Sequence, residues 1–367
     1  MKGGKGYPIG LAWSGLLGGV MHEGADLHET LLLNLTGGST YVQRDLDRDL
    51  PPWEDDQPDD AAPRPSLHPS GPVRLYTWQS RRIRLVADGS EVIGCVLANG
   101  DALTPQNMHR LEPMSAWRYS EPQSKKAGST TYMPREHLPD RAFWRGISAL
   151  LPATTSIDAK GIERTQAPAS VQWIAQLQAL GVLEPGKRMR LRAIGVVYGS
   201  NNSVVDDVID DRLQVAFALL SEENSALAAE AENAVRLADE GGVRALRRLA
   251  EHLSLAAGGD GLGERARAEE SAYAALDGAY RAWLATLDDT ADPPAQAIAD
   301  WRETARTIIR RLGDRLVAES GPTAWVGREV RVGSGTELVN TPPRAESWFR
   351  HALHNAFGDT TGKDAAA

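Results

Sequence analysis

The C-terminal part of the sequence is a succession of amphipathic segments, each of which must bury one apolar face against a neighbour. Between residues 266 and 287, apolar side chains recur at three- and four-residue steps and share one face of a helix. These side chains are Tyr273, Leu276, Tyr280, Trp283 and Leu287. Three further runs rich in Ala, Leu, Glu and Arg have the same spacing, at 225–257, 298–320 and 343–357. With one more helix at 207–220, the pattern predicts an antiparallel bundle of about four helices.

The sequence before residue 206 has strand patterns instead. Apolar residues flank an Asp-Gly turn within 73–98, which is typical of a β-hairpin or meander. Apolar and basic residues alternate from Arg188 onward and predict another strand. Asp26 precedes an apolar run as a helix N-cap, so we expect a short buried helix at 26–35.

These patterns give the fold class α+β, with an irregular mixed α/β N-terminal domain that contains β-hairpins and a C-terminal antiparallel four-helix bundle. The predicted limits are 1–205 for the first domain, 206–357 for the bundle and 358–367 for a disordered tail. We expect Asp206 and Asp207 to begin the bundle, because carboxylates favour the N-terminal end of a helix dipole.

Composition limits the chemistry that this chain of 367 residues can perform. Cys95 is the only cysteine, which excludes an internal disulfide and a thiolate metal cluster, and we expect it to be buried in its apolar strand. No run approaches the roughly 20 apolar residues that cross a bilayer, and the N-terminus lacks the apolar stretch of a signal peptide, so we expect a cytoplasmic protein without a membrane partner. The phosphate-loop and nucleophile-elbow motifs are absent, and we expect no cofactor, no metal and no enzyme activity.

Basic and aromatic residues are interleaved at several places before residue 206. One cluster has Arg110, Arg118, Lys125 and Lys126 around Trp117 and Tyr119, and others have Arg81, Arg82 and Arg84, or Arg188, Arg190 and Arg192. The net charge of −9 does not exclude nucleic acid, because the acidic excess lies after residue 206 and a local basic face is what attracts phosphate. Such clusters suit phosphate contact and base stacking, although each one alone also fits a solvated face paired with neighbouring acids.

Two stretches have unusual turn chemistry. Residues 3–24 include eight glycines, which fit either a loop folded closely on itself or a close approach of backbone to a large polar ligand. The stretch VYGSNNSVVDD at 197–207 has the composition of a tight, exposed turn.

Together these segments resemble the CasA-type large subunit of Cascade, the type I-E CRISPR surveillance complex. The resemblance is carried, in the family's order, by 10–35, 51–53, 112–126, 196–207 and the helical segments that follow. It implies a protein without catalytic activity that finds the protospacer-adjacent motif in double-stranded DNA and starts strand separation during antiviral defence. The implied partners are the double-stranded DNA target, the guide RNA complex with the other Cascade subunits, and the helicase-nuclease that is recruited later.

The resemblance also implies three DNA-contacting parts, which act largely in the minor groove. A glycine loop matches Gly6, Gly10 and Trp13. A wedge hairpin matches Ser200, Asn201, Asn202 and Ser203, with Asn202 at the tip, where some relatives carry the longer glutamine. A basic finger falls within 104–112, at His109 or Arg110. The further basic residues expected to contact DNA are Lys125, Lys126, Arg188 and Arg190.

The sequence departs from the family pattern in two respects, and it leaves other functions open. Some relatives have a cysteine cluster that could hold zinc, which Cys95 alone cannot form. The family also has a substantial segment ahead of the glycine loop, where this sequence begins at MKGGKG. An alternative function is a non-catalytic helical scaffold that binds partner proteins, and a third is an enzyme whose site is assembled from dispersed residues.

Overall fold

The computed structural model describes residues 18–37, 41–42, 45, 47–54, 68–79, 81–152, 161–184, 188–199, 204–221, 224–287, 294–332 and 336–358. Contacts divide the chain into two compact units, residues 1–228 and 229–367. The described part is a mixed α/β structure with several small sheets, as the sequence predicts. None of its helices is long and apolar enough to cross a membrane.

The described residues of the first unit form three small antiparallel sheets. Their strands are β1 (Gly19–Glu23), β2 (Arg81–Asp88), β3 (Glu91–Asn99), β4 (Trp117–Tyr119), β5 (Tyr132–Pro134), β6 (Thr165–Gln166), β7 (Arg188–Tyr198) and β8 (Val205–Ala216). The strand orders are β1-β7-β8, β2-β3 and β5-β4-β6. The α-helices are α1 (Leu27–Leu33), α2 (Pro72–Tyr76), α3 (Glu121–Ala127) and α4 (Ala169–Ala179). Two short 3-10 helices are Phe143–Ala149 and Phe217–Leu220.

The sheet β1-β7-β8 confirms the strand predicted from Arg188 and corrects the helix predicted at 207–220. Strand β8 pairs with β7 from Tyr198 opposite Val205 to Arg188 opposite Ala216. The aspartates of β8 therefore face cross-strand partners instead of a helix end, and Asp210 accepts hydrogen bonds from Arg192 on β7 at 2.8 and 2.6 Å. Long-range pairing overrides the local charge pattern here.

The predicted hairpin within 73–98 is confirmed as β2 and β3, but the prediction that Cys95 is buried is wrong. Leu85 lies opposite Cys95 in a two-stranded sheet to which the described residues add no third strand. Cys95 is exposed, and so are Ile83 (63%) and Leu97 (69%) on the same face. Alternation of apolar residues predicted the strands correctly, but it does not show whether another layer covers them.

The helix predicted at 26–35 is confirmed as α1, although it is not buried. The carboxylate of Asp26 caps its N-terminus by accepting the Glu29 N–H at 2.8 Å. At the other end, the Asn34 side chain accepts the His22 N–H at 3.0 Å and donates to the His22 carbonyl at 2.7 Å. The side chains of Leu27 and Leu31 are exposed, because these polar contacts, and not its apolar face, attach the helix to β1.

The second unit is mainly helical. Its elements, which begin at the boundary between the units, are α5 (Ser225–Arg236), a π-helical segment (Leu237–Val243), α6 (Arg244–Ala257), α7 (Leu262–Leu284), α8 (Pro294–Ala318), α9 (Pro322–Val326), β9 (Arg328–Val332), β10 (Thr336–Asn340) and α10 (Pro342–Phe357). Helix α6 packs against α7, α8 and α10, and α8 also packs against α7 and α10. The π-helical segment contains Gly241 and Gly242, where a Cβ would lie 2.8 Å from Ala356 and 3.0 Å from Ile309.

Aromatic residues fill the core of this unit, on the face that the sequence predicts. Tyr280 and Trp301 have ring centroids 5.2 Å apart, and Trp283 lies 5.4 Å from Trp301. Both buried polar groups are satisfied, because the Tyr280 hydroxyl donates to the Ala231 carbonyl at 2.9 Å and the Trp301 Nε1 to the Ala234 carbonyl at 3.2 Å. These bonds fix the register of α7 and α8 against α5.

We predict that the stability of the chain falls in mild acid because His22 is buried uncharged. Its ring projects from β1 with Nδ1 2.8 Å from the sulfur of Met189 on β7, and burial lowers its pKa to about 4. In the unfolded chain this histidine binds a proton at about pH 6.5. Its contribution to the free energy of unfolding is therefore fully present above that pH, and it is lost as the pH falls from about 6.5 to about 4. The free energy of urea unfolding should fall by about 2 kcal/mol for this residue between about pH 7.5 and about pH 5.

The variant His22→Gln should show a flatter pH dependence, whatever its stability at neutral pH. His28→Gln is the matched control, because His28 is exposed on α1. Equal pH dependence in the wild type and His22→Gln would contradict the assignment of this proton to His22.

Candidate nucleic-acid interface

The residues predicted to contact DNA fall into two groups. Gly6, Gly10 and Trp13 of the glycine loop, and 200–203 of the wedge, lie outside the described residues. The six basic residues are all described. The arrangement of the site is therefore given by the elements that flank the first group and by the surroundings of the second.

The end of the glycine-rich stretch and the base of the wedge lie at the same end of one sheet. Strand β1 starts at Gly19, which is opposite Ile194, and it runs antiparallel to β7 so that Glu23 is opposite Arg190. The start of β1 and the end of β7 at Tyr198 thus lie at the same end of the sheet. The strand from Ile194 to Tyr198 spans about 13 Å.

The base of the wedge is a β-hairpin. Tyr198 pairs with Val205, and the Gly199 N–H donates to the Val204 carbonyl at 2.9 Å. A Cβ added at Gly199 would collide with the carboxylate of Asp206, so a larger residue here would require that side chain to turn away. Val204 and Val205 are 60% and 52% exposed, which leaves apolar side chains in solvent at this end of the sheet.

Gly18 joins the glycine-rich stretch to this sheet. Its φ of +90° is in the region that favours glycine, and a Cβ would lie 2.8 Å from the Gly195 Cα and 2.8 Å from the His137 Cδ2. It would also collide with the Ile194 carbonyl oxygen. The glycine-rich stretch must therefore enter the sheet at this one place on β7.

The two alternatives for the basic finger have different environments. The His109 ring makes edge contacts with Trp117 and Tyr132, at centroid distances of 6.0 and 5.2 Å, and its Nδ1 is buried. Burial, and then the charge of Arg110, lower the pKa of His109. Arg110 is exposed. Since His109 is packed and largely uncharged at neutral pH, Arg110 is the better placed of the two to meet a phosphate.

A buried carboxylate holds the end of this loop. Glu112 is fully buried, and its Oε1 accepts the Tyr76 hydroxyl at 2.6 Å and the Met114 N–H at 3.1 Å. Its Oε2 accepts the Ser115 N–H. Burial, followed by the charge of Glu112 and the hydrogen bond to it, raises the pKa of the Tyr76 hydroxyl, which stays a donor.

The other predicted contacts are exposed but differ in their partners. Lys125 and Lys126 are in the last turn of α3, where the Lys125 Nζ lies 2.8 Å from the Glu121 carboxylate. The hydrogen bond to Glu121 raises the pKa of Lys125. On β7, Arg188 is exposed, and Arg190 donates to the Gly24 carbonyl at 2.6 Å.

Ion pairs within the protein neutralise part of the basic surface that the sequence indicates. Arg192 and Arg212 both contact Glu23, at 3.4 and 3.2 Å, and both contact Asp210. Arg82 pairs with Asp101, with both side chains largely buried. The positive charges of these three arginines are thus balanced by carboxylates of the protein itself, which weakens their attraction for phosphate.

The described residues include no group of three or more His, Cys, Asp or Glu side chains arranged to hold a metal ion. Sequence reasoning missed Glu112 and the specific contact of Gly18. Gly18 lies in a stretch that is already conspicuous for its glycines, whereas nothing in the sequence distinguishes Glu112 from surface glutamates.

Comparison with known proteins identifies the fold. A crystal structure of Thermobifida fusca Cse1 superposes with a TM-score of 0.78 at 40% identity, over 94% of this chain and 63% of that one. A crystal structure of Cse1 from Acidimicrobium ferrooxidans gives 0.66 at 25% identity, over 92% and 63%. The CasA/Cse1 protein of Thermus thermophilus is 28% identical over 351 residues, which are 90% of this chain and 60% of the relative.

The fold is thus that of a CRISPR-associated protein. More specifically, the chain belongs to the family described as CRISPR-associated protein Cse1, whose model matches residues 1–312. The predicted resemblance to the CasA type is confirmed. The chain spans somewhat more than three fifths of the length of the solved relatives.

We predict that Glu112→Gln destabilises the chain by about 1–3 kcal/mol. The carboxylate accepts three hydrogen bonds, and the NH₂ group of glutamine would face at least one of these donors and leave it without an acceptor. Glu121→Gln is the control, since Glu121 is an exposed glutamate on α3 and its loss should change the stability little. The measurement is the free energy of urea unfolding at neutral pH. Equal values for the two variants would mean that the buried carboxylate is not a structural anchor.

We also predict that Gly18→Ala costs more than a positive φ alone explains. Gly128 has a comparable φ of +69°, and an added Cβ would meet no atom within 4 Å there, so Gly128→Ala reports the backbone cost, which is about 1 kcal/mol. Gly18→Ala should exceed it by about 1–3 kcal/mol, because backbone atoms of β7 must also move. The same loss of stability in both variants would contradict the close contact with β7.

Proposed function

We propose that this chain is the DNA-recognition part of a Cascade large subunit, in the type I-E antiviral system of the cytoplasm. It recognises the protospacer-adjacent motif in the double-stranded DNA target, initiates strand separation and helps to recruit the helicase-nuclease, without chemistry of its own. The observation that carries the proposal is that the end of the glycine-rich stretch at Gly18 and the base of the hairpin at Tyr198 and Val205 lie at the same end of the sheet β1-β7-β8, in a chain of the Cse1 family. Its partners are the target duplex and the guide RNA complex with the other Cascade subunits.

Exposed basic side chains give the first, sequence-independent hold on the duplex. Arg110, Lys126 and Arg188 are exposed, and each phosphate that is neutralised releases counterions. This contribution weakens steeply with salt and carries no sequence information, but it allows rapid sampling of many sites.

Recognition of the motif then depends on the glycine loop. Because Gly6 and Gly10 carry no side chains, their backbone can approach the edge of the minor groove closely. The minor groove distinguishes base pairs coarsely, so this kind of recognition accepts several related motifs.

The wedge at 200–203 acts after the motif is bound. A turn inserted between base pairs must offset an unstacking cost of a few kcal/mol per step, and guide RNA pairing carries the opening forward. Asn202 offers an amide that is one methylene shorter than glutamine. The apolar pair Val204 and Val205 at the base of the turn adds exposed surface that can cover an unstacked base.

We infer that α6, α7, α8 and α10 form the antiparallel four-helix bundle and that this unit contacts proteins. Support comes from their mutual packing and from the acidic excess of the sequence after residue 206, which repels phosphate. The same observations favour the second candidate function, a non-catalytic helical scaffold.

We predict that Gly10→Asp combined with Asn202→Ala abolishes the preference for duplexes that carry the motif. The aspartate places a charge and a side chain where the backbone approaches the groove, and the alanine removes the tip amide. The loss should be about tenfold to a hundredfold in affinity, which is about 1–3 kcal/mol. Binding and base unstacking are measured with fluorescent duplexes, with and without the motif, in a complex reconstituted with guide RNA and the other subunits.

The control combines Gly263→Asp with Asn355→Ala, the same chemical changes at two exposed positions of the second unit. If the first pair of changes leaves motif preference and unstacking intact, the glycine loop and the wedge have no such role. If the wild-type complex binds both duplexes equally, the scaffold is the better description.

A further inference from the structure

Three arginines of the first unit form a positive cluster that the sequence clusters did not reveal as a unit. Arg118 is on β4, Arg135 directly follows β5, and Arg141 precedes the 3-10 helix Phe143–Ala149. Only Arg118 belongs to the basic clusters described from the sequence. Sheet pairing brings Arg118 and Arg135 together, and Arg141 lies near enough to line the same cavity as Arg135.

The backbone fixes two of these side chains on one face of the sheet β5-β4-β6. Arg118 is opposite Met133, and the Arg135 N–H donates to the Ala116 carbonyl at 2.8 Å, which continues the same ladder. Since side chains alternate along a strand, Arg118 and Arg135 are diagonal neighbours on the face opposite the buried Trp117. Arg141 is held by its own backbone bond to Leu138 at 3.1 Å.

The described carboxylates do not neutralise the positive charge of this cluster. Burial, and then the charges of Arg141 and Arg118, lower the pKa of Arg135. No ion pair joins any of these three arginines to a carboxylate within the described part of the chain. The Nε of Arg141 is buried without a hydrogen-bond partner there, although its Nη2 donates to the Arg145 carbonyl at 2.9 Å. A half-buried guanidinium without an anion is unfavourable, so the arrangement calls for one.

A small cavity lies between these groups. It has a volume of about 70 Å³ and is lined by Arg135, Glu136, His137, Arg141 and Gly146, among others. A Cβ at Gly146 would lie 3.4 Å from the Arg135 Nη2, so Gly146 borders the guanidinium. The one carboxylate in this lining, that of Glu136, is on an exposed residue. A space little more than twice the roughly 30 Å³ of a water molecule suits a single oxyanion group and is too small for a nucleoside.

The cavity adjoins the end of the glycine-rich stretch. His137, which lines it, is the residue whose Cδ2 lies 2.8 Å from the Cβ position of Gly18. Burial, and then the charge of Arg135, lower the pKa of His137 to about 4, so that it is neutral and leaves the positive charge to the arginines. An anion bound here is next to the proposed recognition end of the sheet.

We propose that Arg135 and Arg141, with Arg118 beside Arg135 on the same face of the sheet, bind a backbone phosphate of the target DNA duplex. This inference rests on the proposed function and adds to it a phosphate site that fixes the duplex beside the glycine loop. Arginine suits the role, because its planar fork of donors matches phosphate oxygens and it stays charged when half-buried. A single phosphate anchor sets the register of the duplex and reads no sequence.

The test measures the salt dependence of duplex binding by the 367-residue chain, using fluorescence anisotropy of two labelled duplexes, one with and one without the motif. Arg135→Gln combined with Arg141→Gln should reduce the slope of log affinity against log salt by about 0.9, the value for one lost phosphate contact. The affinity should fall to the same extent for duplexes with and without the motif. Arg118→Gln, at an exposed position, should give a smaller reduction in the same direction and keeps the test available if the double variant fails to fold.

Arg244→Gln combined with Arg248→Gln is the matched control, because it removes the same charge from exposed positions of α6. If folded Arg135/Arg141 and Arg118 variants keep the wild-type slope, the phosphate site is wrong. The proposal is also overturned if the control variant reduces the slope as much. The same holds if the Arg135/Arg141 variant reduces the slope only for single-stranded RNA. If the wild-type chain binds no duplex at any salt concentration, the proposed function itself fails, which is a distinguishable result.

Discussion

The buried carboxylate of Glu112 is the constraint on which the geometry of the first unit depends. It satisfies the Tyr76 hydroxyl and two backbone N–H groups of the following turn, and no described cation neutralises it. Buried carboxylate oxygens are tolerated only where hydrogen bonds replace their hydration, so the turn after Glu112 must present both N–H groups to it. From that turn, the Met114 carbonyl accepts the Val20 N–H at 2.8 Å and the Pro113 carbonyl accepts the Ser170 N–H at 2.9 Å. One carboxylate thus ties α2, β1 and the start of α4 to the loop that carries Arg110.

Local periodicity was enough to predict the helices of the second unit, because Leu276, Tyr280 and Trp283 are spaced for one buried face. It also found the strands around Asp88-Gly89 and from Arg188. It failed at β8, where aspartates typical of a helix start are instead paired across the sheet, as with Asp210 and Arg192. It failed again for Cys95 and for α1, since the apolar character of a strand or helix does not establish that another layer covers it.

The candidate site shows the same limit. The resemblance identified stretches whose described flanks lie at the same end of one sheet, but it could not show that Gly18 enters the sheet against Ile194 and Gly195, which are distant in the chain. It gave His109 and Arg110 equal standing, and only packing against Trp117 and Tyr132 separates them. Arg135 and Arg141 carry no sequence signal, because Arg135 is placed by the pairing of β4 with β5 and Arg141 joins it only through the fold of the following segment.

The distribution of ion pairs decides where a negatively charged ligand can bind this surface. On the sheet β1-β7-β8, Arg192 and Arg212 share Glu23 and Asp210, so this face is held together by its own charges and offers little net attraction. Arg135, which follows β5, and Arg141 both line the small cavity and have no such partners among the described carboxylates. On the proposed function, a phosphate backbone would be attracted there and not across the middle of β7. That arrangement would separate the hold on the backbone from the reading of the groove, since the residues proposed to enter the duplex are glycines and amides without charge.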